Sequence, residues 1–570
     1  MRVALAAAAL AVGACGFHEE PRPSAVRFMV AIPEGRALAS FVVSVDGRWL
    51  AYSAERDEDG LRRLFIRSVA EGTASDREVP GTIGASSPFF SPDGSAIAYF
   101  SRGAIWRTSS TSTGGVPQRI VAAPSDSAGG TWTADGRIVF APLGNQGLMG
   151  VPAGGGTAVP LTTLNGSDGE LEHGWPHALA DGALVFTVSE RGRDPHLEVL
   201  STDGKRERLR VPIIGQAQFV ETGHLVYGYL GSLMAVKFDA QEHTISDVPV
   251  PLAKGIQTAT GFGVLGRSGF SVSRTGTLAW LRASADDARS RLVRVDREGK
   301  VSPLNTSADV FQTPRLSPDG RRIAVAVRDG VMTREIRVAD AAKPDRVMLT
   351  IAGGDNQSPA WMDNRRLTFG SNRDGLQKIY VQAIDRKRPP VPLFTADATV
   401  ARNPASWSRP PRLLAFYEIE PARARDVQVY RVGESVAPVA ATTANERSPS
   451  VSPDGQWIAY VSDTSGRDEI YAARLDRDGE ARQLTTSGAL EPLWTREGLF
   501  YREGERMTLR VLEKGVLSEP RLVFEGHFEH DPGSNLAAYD IDAQGRFIML
   551  KSALRPREIR IVQNWSVELP

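Results

Sequence analysis

An all-β fold of repeated four-stranded sheets is predicted by three observations. A short unit, Ser452-Pro453-Asp454-Gly455 followed by Trp457-Ile458-Ala459-Tyr460-Val461, returns nearly verbatim elsewhere. Its copies are Ser317-Pro318-Asp319-Gly320 with Ile323-Ala324-Val325, and Ser91-Pro92-Asp93-Gly94 with Ile97-Ala98-Tyr99-Phe100. The turn glycine, or the residue in its place, recurs at Gly47, Gly94, Gly136, Gly182, Gly223, Gly276, Gly320, Asn364, Pro411, Gly455, Gly498 and Gly545, with gaps of 41 to 53 residues. Finally, 55 Gly and 36 Pro punctuate short apolar runs, and no long stretch of 3.6-residue period interrupts them.

Each unit reads as strand, tight turn, strand. Gly takes positive φ without a Cβ penalty, and Asp tolerates left-handed backbone and bonds its own main chain. The tenth repeat shows the full order: 446–452 leads into the turn, 457–462 is the second strand, 469–475 the third and 482–485 the fourth. The eighth repeats it through Pro359-Ala360-Trp361, Leu367-Thr368-Phe369, Lys378-Ile379-Tyr380-Val381 and Val391-Pro392-Leu393-Phe394. Asp363-Asn364 keeps the left-handed chemistry, whereas Pro410-Pro411 predicts a different, longer connection in the ninth. A period of this length is the signature of a β-propeller with one four-stranded blade per repeat, about twelve blades here. One ring of twelve leaves a wide, poorly filled centre. Two tandem six-bladed β-propellers, at 27–299 and 300–570, are therefore expected.

Ring closure is expected to borrow strands. Residues 27–32 form a strand with no blade of its own, and the last repeat, with 546–550 and 558–562 as inner strands, lacks a clear fourth. The prediction is that 27–32 complete the sixth blade and 301–304 the twelfth, which removes exposed edges. Pairing of 301–304 with 292–296 would count against the second half of it.

The grammar of these repeats resembles the TolB-type (WD40-like) propeller. Its marks are Ser-Pro-Asp-Gly at 91, 317 and 452, the lead-ins Pro359-Ala360-Trp361 and Pro492-Leu493-Trp494, and the closing pairs Leu161-Thr162 and Leu484-Thr485. The segments Gly81-Thr82-Ile83-Gly84-Ala85, Gly129-Gly130-Thr131-Trp132, His173-Gly174-Trp175-Pro176-His177 and Asn564-Trp565-Ser566-Val567-Glu568-Leu569 are similar to the extracytoplasmic propeller half of bacterial transmembrane Ser/Thr kinases. No His-Arg-Asp or Asp-Phe-Gly accompanies them, so kinase chemistry is not implied.

At the start of the chain, Met1-Arg2, an Ala-rich apolar run and Val12-Gly13-Ala14-Cys15 have the proportions of a signal peptide rather than a membrane span. They resemble a bacterial lipoprotein signal. That resemblance implies removal of residues 1–14, lipidation of Cys15 and a place on the periplasmic face of the outer membrane, and the stretch 15–26, with Pro21 and Pro23 among charges, reads as a tether. Cys15 is the only cysteine, so no disulfide competes for it.

Lys plus Arg and Asp plus Glu are 67 each, which gives no overall field to attract nucleic acid. Membrane association is expected through the lipid anchor only. Among candidate site residues, His173, Trp175 and His177 are expected to contribute to ligand binding on a blade face. His173 and His177 are four apart on an extended strand, about 13 Å, too far to share one ion. His527 and His530 lie in a loop with no third ligand specified, so no metal and no cofactor are expected. Trp132, Trp361, Trp407 and Trp494 recur at one blade position and are expected to pack between blades. Serine peptidase chemistry fails because Gly84-Ala85-Ser86-Ser87-Pro88 lacks the closing glycine of a nucleophile elbow and no hydrolase domain follows. The function expected is non-catalytic binding or sensing of a protein or envelope ligand. A propeller lyase or hydrolase with a channel-mouth site, marked by three or more convergent His, Asp, Glu or Gln, is the rival, and a structural scaffold the third reading.

Overall fold

The computed structural model describes residues 24–569 except 70–75, 112–114, 124–127, 143–145, 167–168, 191–192, 214, 257–268, 283–288, 329–332, 386, 395–399, 411, 420–424, 466, 476–480, 514, 530–535 and 553–557. Cys15, the leader and most of the tether lie outside the described residues. The strands form twelve antiparallel sheets, ten of four strands and two of five, arranged as two six-bladed propellers. By innermost strand, blades 1–6 begin at Arg36–Val43, Ser86–Phe90, Gly130–Trp132, Glu170–Ala178, Ala217–Val220 and Phe270–Val272. Blades 7–12 begin at Phe311–Leu316, Asn356–Trp361, Ala401–Trp407, Arg447–Val451, Leu490–Trp494 and Tyr539–Ile541. Innermost strands of successive blades lie side by side, and blade 6 meets blade 1 as blade 12 meets blade 7. The Tyr539 hydroxyl donates to the Glu491 carbonyl at 2.9 Å and joins blade 12 to blade 11.

The Ser-Pro-Asp-Gly turns are built by their own side chains. Ser452 Oγ donates to Asp454 Oδ1 (2.5 Å) and accepts from Trp457 N (2.9 Å), while Gln456 N donates to Asp454 Oδ1 (3.0 Å). Gly455 sits at φ 75°. The Pro410 turn keeps the same five-residue step instead of the longer connection expected. Ser408 Oγ accepts from Leu413 N (3.1 Å) as Ser452 does from Trp457, and donates to the Pro410 carbonyl (2.9 Å). The serine, not the Asp-Gly pair, sets the turn length there. Second strands are sandwiched between neighbouring blades, so Leu184–Glu190 is buried throughout and Leu413–Ile419 nearly so.

A β-bulge recurs in the innermost strands. Ser87, Trp175, Thr313, Ser358, Ser448 and Glu491 adopt φ between 45° and 60°, and each immediately precedes a proline. The pairing register with the second strand slips across each of them. The bulge re-aims the residue after the proline.

Ring closure departs from the division at 299/300. Val26–Ala31 is indeed the outermost strand of the blade 6 sheet, but the third strand of that sheet is Glu558–Gln563, from the far end of the chain. Conversely Ser290–Val295 leaves blade 6 and pairs with Phe547–Ser552 of blade 12. Val301–Pro303 pairs with Val293–Val295 after all, yet both strands belong to blade 12. The second ring is thus inserted between the second and third strands of blade 6. Ser290–Val295 and Glu558–Gln563 are six-residue strands of similar apolar-polar alternation, so a local pattern reading cannot tell which edge each completes.

The rings also touch through charge. Arg62 Nη1 meets Glu505 Oε1 at 3.3 Å, Arg102 Nη2 meets Glu525 Oε2 at 2.7 Å, and Lys551 Nζ meets Glu55 Oε1 at 2.6 Å. Burial alone would raise the Glu505 carboxyl, but Arg62 and His527 hold it down at about 2. These residues lie at the ends opposite the Ser-Pro-Asp-Gly turns, so the rings meet away from the turn faces.

Candidate binding site at the channel mouths

The three residues singled out from the sequence sit on one strand of blade 4 but do not converge. His173 is fully buried: its Nδ1 lies 2.7 Å from Thr162 Oγ1, its Nε2 3.0 Å from Glu170 Oε2, and its ring packs on Phe186. Burial and the charge of Arg206 push its pKa down. Arg206 spans the cluster, with Nη2 donating to Glu170 (2.5 Å) and Nε to Glu198 (2.7 Å). Glu198 is held at about 2, because hydrogen bonds from His196 and Arg206 outweigh the burial that would raise it. This network ties Thr162 and Glu170 to the outer strands of blade 4.

Trp175 takes the bulge position at φ 51°, and its N donates to the Ala128 carbonyl (2.6 Å). Its ring covers Gly129 of the preceding blade so closely that a Cβ there would lie 2.6 Å from Trp175 Cε3. His177, after the bulge proline, turns the other way. It is half-buried beside the Phe219 main chain of blade 5, and burial together with the Arg274 charge lowers its pKa to about 4. Among the described residues, no group of three or more His, Cys, Asp or Glu is placed to hold a metal ion. His527 Nδ1 lies 3.4 Å from Glu505 at the inter-ring contact, and His530 is outside the described residues.

The His177 shift has a measurable consequence. Its folded pKa lies below the ordinary value of 6.5, so between the two the unfolded chain binds the extra proton. Stability is intact above about pH 6.5 and falls as pH drops toward 4, by up to about 3 kcal/mol. Urea melts of wild type and His177→Asn across that window check this: the variant's curve should be flatter.

The tryptophans pack between blades as expected. Trp361, Trp407 and Trp494 are buried and Trp132 partly so; Trp361 Nε1 donates to the Arg315 carbonyl (2.9 Å) and Trp407 Nε1 to Thr368 Oγ1 (3.0 Å), each on the preceding blade.

A charged set that the sequence did not single out lies at the turn-side mouth of the second channel. Arg315 follows a bulge proline in Thr313-Pro314-Arg315, as His177 does in Trp175-Pro176-His177. Its Nη1 donates to the carbonyls of Pro314 (2.7 Å), Ala537 (2.7 Å) and Tyr539 (3.2 Å). Arg409, from the blade 9 turn, donates through Nη1 to the carbonyls of Trp361 (3.2 Å), Trp407 (3.4 Å) and Ser408 (3.4 Å). Trp361 thus bonds the Arg315 main chain through its ring and the Arg409 guanidinium through its own carbonyl. Asp540 of blade 12 is within Coulombic reach of both, but its oxygens accept from Leu316 N (2.6 Å) and Ile541 N (2.8 Å) instead. Burial pushes the Asp540 carboxyl up and both guanidinium pKa values down. The available signal was a charged residue after a bulge proline, which is visible only once the bulge is known.

Comparison with known proteins adds ancestry. Residues 277–496 match the family model described as the TolB beta propeller domain, PD40. The Tol-Pal system protein TolB of Francisella tularensis subsp. tularensis (strain WY96-3418) is 27% identical over 184 residues, 32% of this chain and 42% of that protein. The protein of the same name from subsp. holarctica (strain OSU18) is 28% identical over 185 residues, with the same shares. The chain is related to the TolB-like propellers at low identity and over part of its length. It spans less than half the length of these TolB relatives. Among solved structures, a putative TolB from Agrobacterium tumefaciens aligns with a TM-score of 0.37 at 15% identity, covering 46% of this chain and 98% of that one.

Proposed function

We propose that the protein is a non-catalytic binding or sensor protein of the cell envelope, lipid-anchored at Cys15, that holds a protein or envelope ligand on a turn-side propeller face. The observation that carries this reading is the mouth of the second channel. There, two guanidinium groups and one carboxylate are each fixed by main-chain hydrogen bonds, an arrangement suited to recognition rather than to moving protons. The relationship to Tol-Pal system proteins supports an envelope partner, and the similarity of 173–177 to kinase sensor halves supports sensing. His177, on the first channel's wall, offers a second contact in the same reading, backed from within by His173 and Trp175. Among the described residues no helix is long and apolar enough to cross a membrane. In this reading the lipoprotein-like start of the chain supplies the anchor at Cys15, on the periplasmic face of the outer membrane.

The test is site-specific photo-crosslinking in cells. A crosslinker at Gln456, on the turn face, should yield a discrete adduct that one at Leu376, on the opposite face, does not. Equal adducts from both positions, or none from Gln456, would sink the proposal. Loss of membrane fractionation in Cys15→Ser tests the anchor.

A further inference from the structure

We propose that the contact between the two rings is an electrostatic latch, in which ion pairs hold the rings closed and loss of those pairs lets one ring swing away from the other while the exchanged strands keep the two joined. This goes beyond the reading above and does not depend on it.

Apolar packing stops at the ring boundary. Among the described residues, each cluster of buried apolar side chains lies within one ring, when the exchanged strands are counted with the ring whose sheets they complete. Charge crosses the boundary instead. Arg62 with Glu505 and Glu55 with Lys551 join blade 1 to blades 11 and 12, and Arg102 with Glu525 joins blade 2 to blade 11. His527 adds to the first pair, with its Nδ1 3.4 Å from Glu505 Oε1. Attraction between charges is weakened by salt, whereas burial of apolar surface is not.

The two surfaces also fit poorly where the pairs meet. A cavity of about 380 Å³ lies between them, lined by Arg62, Gly84 and Arg102 on one side and by Glu505, Arg506 and Glu525 on the other. Well-packed interiors leave few voids larger than a water molecule. Arg62 Nε, Glu505 Oε1 and Arg506 Nε are buried without a hydrogen bond. Glu505 Oε1 meets Arg62 at 3.3 Å and His527 at 3.4 Å, and Arg506 Nε lies 3.5 Å from Glu525 Oε1, all longer than well-formed charged hydrogen bonds. Such contacts offset little of the cost of taking these groups out of water, so the closed state holds by a small margin. Separation of the rings returns the three atoms to solvent.

The chain passes between the rings twice, from Thr277–Trp280 to Ser290–Val295 and from Phe547–Ser552 to Glu558–Gln563. Both passages run between blades 6 and 12, whereas the Arg102 pair joins blades 2 and 11, away from that edge. Breaking the pairs therefore leaves the strand exchange intact. Because the turn faces lie at the far ends, opening changes the angle between them and the spacing of whatever both faces hold.

The test is a distance measurement by pulsed electron spin resonance on the full chain carrying Cys15→Ser. Spin labels go on Glu58→Cys and Thr486→Cys, exposed positions in the turns of the first and second ring that flank the contact. At low ionic strength the labelled chain should give one short distance. A longer population should grow as NaCl rises to about 1 M, where the Debye length is about 3 Å, and sucrose of equal osmolality should not produce it. Glu55→Lys with Arg102→Glu should raise the open-to-closed ratio at least about fivefold per pair without lowering the helix-free circular dichroism signal of either ring. Adding Lys551→Glu and Glu525→Lys, which restores attraction across the boundary, should bring the short distance back. If the reversed variant fails to fold, the salt titration of the labelled parent decides. A short distance that persists at about 1 M NaCl, or in the folded reversed variant, overturns the latch. So does a distance that stays long after the second ring is reversed as well.

Discussion

A fragment of residues 290–552 should fold alone as a complete six-bladed ring, whereas 300–570 should not. Cutting at 299/300 removes Ser290–Val295, the third strand of blade 12, and leaves Val301–Pro303 with nothing to pair with. Leu292, Val293 and Val295, all buried, go with it. At about 1.5–3 kcal/mol for each buried aliphatic side chain, the loss is comparable to the net stability of a domain. It also bares an edge strand, Phe547–Ser552. The complementary fragment 24–299 lacks Glu558–Gln563, so blade 6 is left without the strand between Thr277–Trp280 and Val26–Ala31. Circular dichroism melts and limited proteolysis of the fragments are the check. Co-expression of 24–299 with 300–570 should restore a folded complex, because all strands are then present. A cooperative melt of 300–570 alone would refute the strand exchange.

Trp361→Ala should cost the second ring about 3–5 kcal/mol. The ring of Trp361 is 3% exposed and packs with Leu367, Phe369 and Ile336 in the core between blades 7 and 8. Its removal also orphans a hydrogen bond to Arg315. Trp361→Phe keeps most of the packing and loses the hydrogen bond, so about 1 kcal/mol of loss is expected. In denaturant unfolding of the full chain, both variants should shift the transition of the second ring and spare that of the first. A loss below 1 kcal/mol in the alanine variant would mean that the blades do not depend on this ring.

The repeat was legible because each turn is a local object. Ser91, Ser317 and Ser452 each accept a main-chain N–H five residues on, and the chain needs no distant partner to do so. Site residues were less legible. His173, Trp175 and His177 share a strand, but the bulge at Trp175 sends them to three environments: the blade interior, the preceding blade and the following one. Alternation along a strand cannot reveal that, since the slip in register appears only against the second strand. Arg315 is hidden for the same reason, although Thr313-Pro314-Arg315 repeats the pattern of Trp175-Pro176-His177.

Local patterns along the chain suffice for the all-β class, the number of blades, the turn chemistry and the interblade place of the tryptophans. Each of these rests on interactions within about fifty residues, the span of one repeat. Tertiary structure alone decided which edges close the rings and which polar groups share a channel. Ser290–Val295 and Glu558–Gln563 have similar alternation, so only the closing of two circles in space assigns one to each. Arg315, Arg409 and Asp540 are far apart along the chain, and only the ring brings blades 7, 9 and 12 to one mouth.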